Sequence, residues 1–126
     1  MIEGKARFLS PLVLAYVGDA VHSLCVRCRL ASSSNAKAGA LHSTASKEVS
    51  AVNQSLIAER LSAFLNEEET DVYRRARNAK LTHYAKNAKE TEYKRATGFE
   101  AVVGYLYLSG NRERLSALFD FLKDME

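Results

Sequence analysis

The feature that most constrains the fold of this chain is the near absence of helix breakers. The chain has 126 residues and only one proline, whereas alanine occurs 18 times and leucine 15 times. Valine, isoleucine and threonine, which favour strands, together number 16. Because strong helix formers dominate this composition, we predict an all-α fold.

Length and composition also limit the class of protein. A chain of this length can build one core, so we predict a single domain over residues 1–126. The hydrophobic fraction of 47% and the charged fraction of 26% exclude a disordered or fibrous chain. No apolar run approaches the roughly 18 residues of a membrane span. The first ten residues resemble no export signal, so we expect a cytoplasmic protein, or an organellar one if a transit peptide has been removed.

Start signals and apolar spacing predict five helices. Ser10 and Pro11 form a good helix start, and Asn66 with Glu69 three residues later resembles a capping box. Residues 81–89 fit either a loop or a short helix, and the composition of 31–39 indicates a loop. The predicted helices cover about 11–30, 40–64, 66–80, 91–108 and 111–125.

Two acidic residues stand within strongly apolar helical segments. Asp19 lies in the middle of the first helix and Glu100 in the fourth, each among aliphatic and aromatic neighbours. A carboxylate in such a setting is costly unless a cation or strong donors compensate it. The small residues Gly18, Gly98 and Gly104 would let the two helices approach closely, so we predict that the two acids share a hard cation such as Mg²⁺ or Mn²⁺. The alternative is that each acid is held separately by an arginine, a lysine or a hydroxyl.

The charge of the chain is concentrated in one segment. Residues 72–95 contain eight lysines or arginines and two acids, a net charge of +6, while the rest of the chain sums to −3. A basic block on a mildly acidic body favours a polyanion partner. The alternative for such a run is an ordinary solvated helix face.

Three segments carry a resemblance to a known family. LAYVGDAVHSLCVR (Leu14–Arg27) and ATGFEAVVGYLYLSG (Ala96–Gly110) resemble the two signature motifs of ribonuclease III-type endonucleases, in the same order and about eighty residues apart. NEEETDVYRRARNAK (Asn66–Lys80) resembles the corresponding segment of Mini-ribonuclease III, the subfamily without a double-stranded-RNA-binding domain. The resemblance implies a ribonuclease III endonuclease-domain fold of about five to seven helices, assembled as a homodimer.

The resemblance also implies an activity. It assigns Asp19 and Glu100 as the catalytic, metal-binding residues of an enzyme that hydrolyses double-stranded RNA and leaves 5′-phosphate and 3′-hydroxyl ends. Mg²⁺ is the expected cofactor, with Mn²⁺ as a substitute. Two further acids of the larger enzymes are replaced here by Ala15 and Thr97, as in the Mini-type relatives. Water and RNA must therefore supply more of the metal coordination.

The implied partners are RNA and a second copy of the chain. The resemblance points to the 23S rRNA precursor as substrate and leaves the need for a ribosomal protein open. Tyr16 matches the position whose aromatic ring contacts the partner subunit, although a core tyrosine is the simpler alternative. The predicted RNA contacts are Arg74, Arg75, Arg77, Asn78, Lys80, Lys86, Asn87, Lys94 and Arg95.

Two other functions remain open at this point. The chain would be a non-catalytic RNA-binding or ribosome-associated domain if it had kept the fold and lost activity. It would be a helical metal or interaction module if the resemblance were fortuitous. Cys25 and Cys28 lack the second pair of a zinc site, and a packing role is expected for His22. His42 fits either a structural or an RNA-proximal role.

Overall fold

The computed structural model describes residues 6–33, 37–80 and 89–123. Within these residues the chain is built from α-helices and two short 3₁₀ turns, at Ala6–Phe8 and Leu61–Ala63, and contains no strand. The predicted all-α fold is confirmed. The helices are α1 (Pro11–Ser33), α2 (Ala38–Glu48), α3 (Ala51–Arg60), α4 (Glu67–Arg77), α5 (Glu90–Leu108) and α6 (Arg112–Lys123).

The predicted loop at 31–39 is wrong at both ends, where residues 31–33 and 38–39 are helical, while residues 34–36 lie outside the described residues. Most of the segment 81–89, predicted as a loop or a short helix, also lies outside them. Helix α1 continues to Ser33, because the hydroxyls of Ser32 and Ser33 donate to the carbonyls of Cys28 and Arg29 at 2.8 Å. Serine side chains bonded back to the preceding turn are compatible with a helix, although serine-rich composition usually indicates a loop. Helix α2 then begins at Ala38.

The predicted long helix over 40–64 consists of two helices and a 3₁₀ turn. Ser50 interrupts it with an extended backbone, and its hydroxyl accepts a hydrogen bond from the amide of Asn53 at 3.2 Å. A serine in this conformation is an N-cap, so the chain starts a new helix at Ala51 instead of continuing the old one.

The start of α4 is the capping box predicted from sequence. The Asn66 side chain accepts from the Glu69 amide at 2.9 Å, and the Glu69 carboxylate accepts from the Asn66 amide at 3.1 Å. The buried Glu69 carboxylate also forms two 2.7 Å hydrogen bonds with the guanidinium of Arg114 on α6. This second role joins α4 to α6, and nothing in the local sequence signals it.

Helix α5 is the centre of the fold and packs against α1, α3 and α4. From Ala96 to Leu106 all of its residues are buried except Glu100. The helix stops as predicted at Ser109-Gly110, where Gly110 adopts a positive φ of 76°.

Helix α1 is central on one side only. Leu14, Gly18 and Val26 are buried against the rest of the fold. The opposite side of the helix is apolar and exposed at Leu12, Val13, Tyr16 and Leu24. Within the described residues, no helix combines the length and apolar character that a membrane crossing requires.

Two glycines set the distance between α1 and α5. A Cβ on Gly18 would overlap the carbonyl oxygen of Glu100, and a Cβ on Gly104 would overlap the carbonyl oxygen of Leu14. Both obstacles are backbone atoms, which cannot move aside without separating the helices. The two backbones are therefore in direct contact where they cross.

Replacing one of these glycines tests the contact. We expect Gly104→Ala to reduce the free energy of unfolding by about 3 kcal/mol or more, because the new methyl group must push two backbones apart. Gly39→Ala is the matched control, since Gly39 lies in α2 with no atom near the added Cβ, and alanine there should stabilise by up to about 1 kcal/mol. Urea unfolding followed by circular dichroism measures both, and equal effects would contradict the close crossing.

Candidate active site at the crossing of the first and fifth helices

The crossing of α1 and α5 brings the two predicted acids together. Gly18 touches the backbone of Glu100, and Asp19 is the next residue of α1. Burial, and then the nearby charge of Asp19, raise the pKa of the Glu100 carboxyl, as expected for two acids brought together at this crossing. Two acids that are 81 positions apart in sequence are thus brought to the same point of the fold.

The two acids differ in their surroundings. Asp19 is exposed, so the predicted apolar setting is wrong for this residue. It lies at the edge of α1, between the buried side and the exposed apolar side, and no described element covers it. Glu100 is recessed within α5, and burial, followed by the charge of and hydrogen bond with Asp19, raises its pKa to about 9. Near neutral pH and without a cation, the pair therefore holds a proton on Glu100.

The compensating group that each acid would need is absent from the described part of the chain. The ion pairs found there involve Glu48, Glu59, Glu69, Asp71 and Glu90, and none involves Asp19 or Glu100. Among residues 6–33, 37–80 and 89–123, the alternative in which separate arginines or lysines hold the two acids therefore finds no support.

The two positions that carry acids in larger relatives are not ligands here. Ala15 is buried and has no donor atom, and the buried Thr97 uses its hydroxyl to donate to the Tyr93 carbonyl at 2.9 Å. No group of three or more metal-ligating side chains occurs in the described residues. Two adjacent carboxylates match the usual protein contribution to a Mg²⁺ site, in which water and substrate phosphate complete the shell.

The predicted RNA-contacting side chains lie on α4, just after it, and on α5. Arg74 and Arg75 both bond to Asp71, at 2.9 and 3.1 Å. Arg77 stacks over the Tyr73 ring at 5.7 Å and donates to the Asn78 side chain at 3.3 Å. Lys80 is exposed.

The remaining predicted contacts divide into two groups. Lys94 pairs with Glu90 at 3.1 Å, and Arg95 pairs with Glu59 of α3 at 2.8 Å. Lys86 and Asn87 fall outside the described residues. The segment is therefore less positive than its own sequence suggests, because acids from the same and neighbouring helices interleave with its cations.

Comparison with known proteins identifies the family. The Ribonuclease III domain family matches residues 12–111. The chain is 47% identical over 109 residues to "Mini-ribonuclease 3" of Brevibacillus brevis, a match covering 86% of this chain and 81% of the relative. It is 40% identical over 120 residues to "Mini-ribonuclease 3" of Staphylococcus aureus, covering 94% and 90%. The chain belongs to the Mini-ribonuclease 3 family.

A solved structure supports the same fold. Protein FN1578 from Fusobacterium nucleatum superposes with a TM-score of 0.84 at 29% sequence identity, covering 95% of this chain and 96% of that one. The predicted ribonuclease III domain fold is confirmed, and as a Mini-ribonuclease 3 the chain is an endoribonuclease. The acid pair lies within the matched residues 12–111.

His22 packs beside the site of this Mini-ribonuclease 3 and does not join the acid cluster. Its Nδ1 lies 3.0 Å from the Gln54 amide nitrogen, and its ring meets Phe99 edge-on at 4.9 Å. Burial lowers its pKa to about 4, so the ring is neutral and accepts the Gln54 hydrogen bond. The expected packing role of His22 is confirmed.

A cavity of about 870 Å³ lies between α1, α3 and α6, and it is separate from the acid pair. Its lining includes His22, Cys25 and Cys28 but neither Asp19 nor Glu100. Both cysteines are free thiols. This recess is therefore not the place where the carboxylates meet.

Sequence reasoning missed the acids that pair with the basic residues. Asp71 stands three and four positions before Arg74 and Arg75, a spacing that places the side chains together on a helix. This signal was present in the sequence. The pairing of Arg95 with Glu59 joins residues 36 positions apart and had no local signal.

The raised pKa of Glu100 gives a testable pH dependence of stability. The native state keeps a proton that the unfolded chain releases above pH 4.5, so without divalent cations the free energy of unfolding falls as pH rises from about 4.5 to 9. Glu100→Gln mimics the protonated form and should remove this slope. Near pH 8 we expect a gain on the order of 1–2 kcal/mol, less than the full shift implies, because solvent screens the exposed Asp19.

Thermal unfolding of both proteins between pH 5 and 9, in buffer free of divalent cations, measures this difference. Glu113→Gln, which neutralises an exposed acid on α6, serves as the control and should leave the pH profile unchanged. Parallel profiles for Glu100→Gln and the parent protein would contradict the proton held by the pair.

Proposed function

We propose that this Mini-ribonuclease 3 hydrolyses phosphodiester bonds of double-stranded RNA with a divalent cation held by Asp19 and Glu100. The observation that carries the proposal is the close backbone crossing that brings Asp19 and Glu100 together, with no described cationic side chain paired to either acid. Mg²⁺, or Mn²⁺ in its place, would supply charge stabilisation and a more acidic bound water at this point. The products are 5′-phosphate and 3′-hydroxyl ends, as the family resemblance implies.

The two acids have different tasks in this proposal. Glu100 is recessed in the most buried helix, so its position is fixed by the core around it. Asp19 is exposed, which leaves its side of the pair open to a phosphate of the substrate. Because Ala15 and Thr97 add no ligand oxygen, metal affinity is weak before RNA binds. Loading the pair with a cation displaces the proton from Glu100.

The RNA duplex is proposed to lie along the basic residues of α4 and α5. Arg74 and Lys80 are exposed, and Arg75, Arg77, Lys94 and Arg95 are partly exposed, so their charged ends are accessible to a phosphate backbone. Lys86 and Asn87 would extend this contact, and Asn78 suits a 2′-hydroxyl. Duplex RNA is recognised mainly through phosphates and 2′-hydroxyls, which fits cations and amides without a base-reading element. Maturation of the 23S rRNA precursor in the cytoplasm, with or without a ribosomal protein, follows from the resemblance.

A second copy of the chain is proposed to cover the exposed side of α1. Tyr16 is 81% exposed, and Leu24 is 61% exposed, with Val13 and Leu12 on the same side of the helix. Contiguous exposed apolar side chains of this kind mark an interaction surface. Asp19 lies beside this exposed side of α1, so a dimer formed here would place each active site next to the subunit interface.

A cleavage assay tests the acid pair. Asp19→Asn and Glu100→Gln should each lower the rate of cutting a long RNA duplex in Mg²⁺ by at least about 100-fold, since several kcal/mol of transition-state stabilisation depend on the ion. Glu113→Gln is the control and should cleave normally. EDTA should abolish the parent activity, and added Mg²⁺ should restore it.

The same assay separates the alternative functions. Tight RNA binding without any cleavage by the parent protein would favour a non-catalytic RNA-binding or ribosome-associated domain. Neither binding nor cleavage would favour an unrelated helical module. Equal cleavage by the parent and both variants would refute the assignment of Asp19 and Glu100.

The oligomeric state of the protein tests whether the exposed apolar side of α1 is a subunit interface. We expect the parent protein to sediment as a dimer and Tyr16→Glu to shift it towards monomer by at least about tenfold in Kd, because a charge would be buried in an apolar contact. Tyr107→Glu, on a partly exposed tyrosine of α5, is the control. Analytical ultracentrifugation over a concentration series measures both, and a monomeric parent protein would overturn the proposed dimer.

A further inference from the structure

Asp71 binds two of the arginines proposed to contact RNA. Its Oδ1 accepts from the Arg74 guanidinium at 2.9 Å, and its Oδ2 accepts from Nε of Arg75 at 3.1 Å. All three side chains retain solvent exposure, at 50% for Asp71, 58% for Arg74 and 38% for Arg75. Both oxygens of one carboxylate are thus used on cations that the RNA backbone would also need.

The same arrangement recurs along the proposed RNA track. Glu90 pairs with Lys94, and Glu59 pairs with Arg95 across from α3. At Asp71 one carboxylate pairs with two arginines on the exposed face of a single helix turn.

Exposed ion pairs contribute little to stability, so the ion pairs of Asp71 add little to the free energy of unfolding. Its electrostatic effect on a polyanion is larger. An RNA phosphate that approaches Arg74 or Arg75 meets a carboxylate already bonded to the same guanidinium groups. The phosphate must displace that carboxylate or share the cations with it, and in both cases the binding free energy is reduced.

We propose that Asp71 is a positioning residue that limits the affinity of α4 for RNA by acting as a phosphate-like partner of Arg74 and Arg75. This inference rests on the proposed RNA track along α4. A single phosphate gains little by replacing Asp71, whereas a duplex that engages several cations at once gains enough to bind. The carboxylate returns to the arginines when the shortened product leaves, so it favours turnover over retention of product.

The affinity and its salt dependence test the proposal. In the full-length protein without divalent cations, Asp71→Asn should bind a 5′-labelled RNA duplex about 3- to 10-fold more tightly near 0.1 M salt, because two ion pairs no longer compete. The slope of log K against log salt should steepen by about 1, since one net positive charge is added at the contact. Single-turnover cleavage at saturating protein and Mg²⁺ should stay within about twofold of the parent, because chemistry occurs at the acid pair.

Two controls make the result specific. Glu113→Gln changes the net charge by the same amount at an exposed position of α6, outside the proposed RNA track, and should leave the slope unchanged. In an Arg74→Ala/Arg75→Ala background, Asp71→Asn should lose its effect, because the groups through which Asp71 acts are gone.

The possible failures are distinguishable. If the double alanine variant weakens binding while Asp71→Asn matches Glu113→Gln or binds more weakly than the parent, the inference is overturned and the RNA track stands. If the double alanine variant changes neither the affinity nor the salt slope, α4 lies outside the RNA interface, and both the track and this inference are overturned.

Discussion

The contact between the backbones of α1 and α5 is the constraint on which the active site depends. Gly18 and Gly104 allow an approach that any side chain would block. An aspartate has a short side chain, so Asp19 reaches Glu100 only because the two helix backbones touch. Gly18 directly precedes Asp19 and Gly104 lies one helical turn after Glu100, so the residues that pack the helices and the residues that carry the chemistry belong to the same two short segments.

The acid pair by itself destabilises the folded state, and the packing of the surrounding core offsets this cost. A recessed glutamate next to an aspartate opposes ionisation, and burial and repulsion together raise its pKa to about 9. Glu100 belongs to a helix whose other residues from Ala96 to Leu106 are buried in the core, so the backbone that carries it is fixed by core packing. Functional sites often break the local rules that the rest of a fold obeys. Here the broken rule is the pairing of two acids without a cationic partner among residues 6–33, 37–80 and 89–123.

The surface of the basic segment is less positively charged than the composition of the segment suggests. Its net charge predicts a strongly positive surface, yet Arg74, Arg75, Lys94 and Arg95 all have acidic partners. Sequence reasoning counted charges along the segment, and the interleaved acids reduce the field that RNA would experience. The partners within α4 and α5 were visible at helical spacing, but Glu59 comes from α3 and becomes a neighbour of Arg95 only in the folded chain.

The sequence by itself determined the helical class, the capping box at Asn66 and Glu69, the end of α5 at Gly110, and the pair Asp19 and Glu100, since these depend on local propensity and on residue types in a recognisable order. Tertiary structure alone decided that α1 is covered on one side, that Asp19 is exposed while Glu100 is recessed, and that Glu69 binds Arg114. Burial and long-range ion pairs depend on which surfaces meet when helices pack. That choice is made by the whole chain, so no window of sequence contains it.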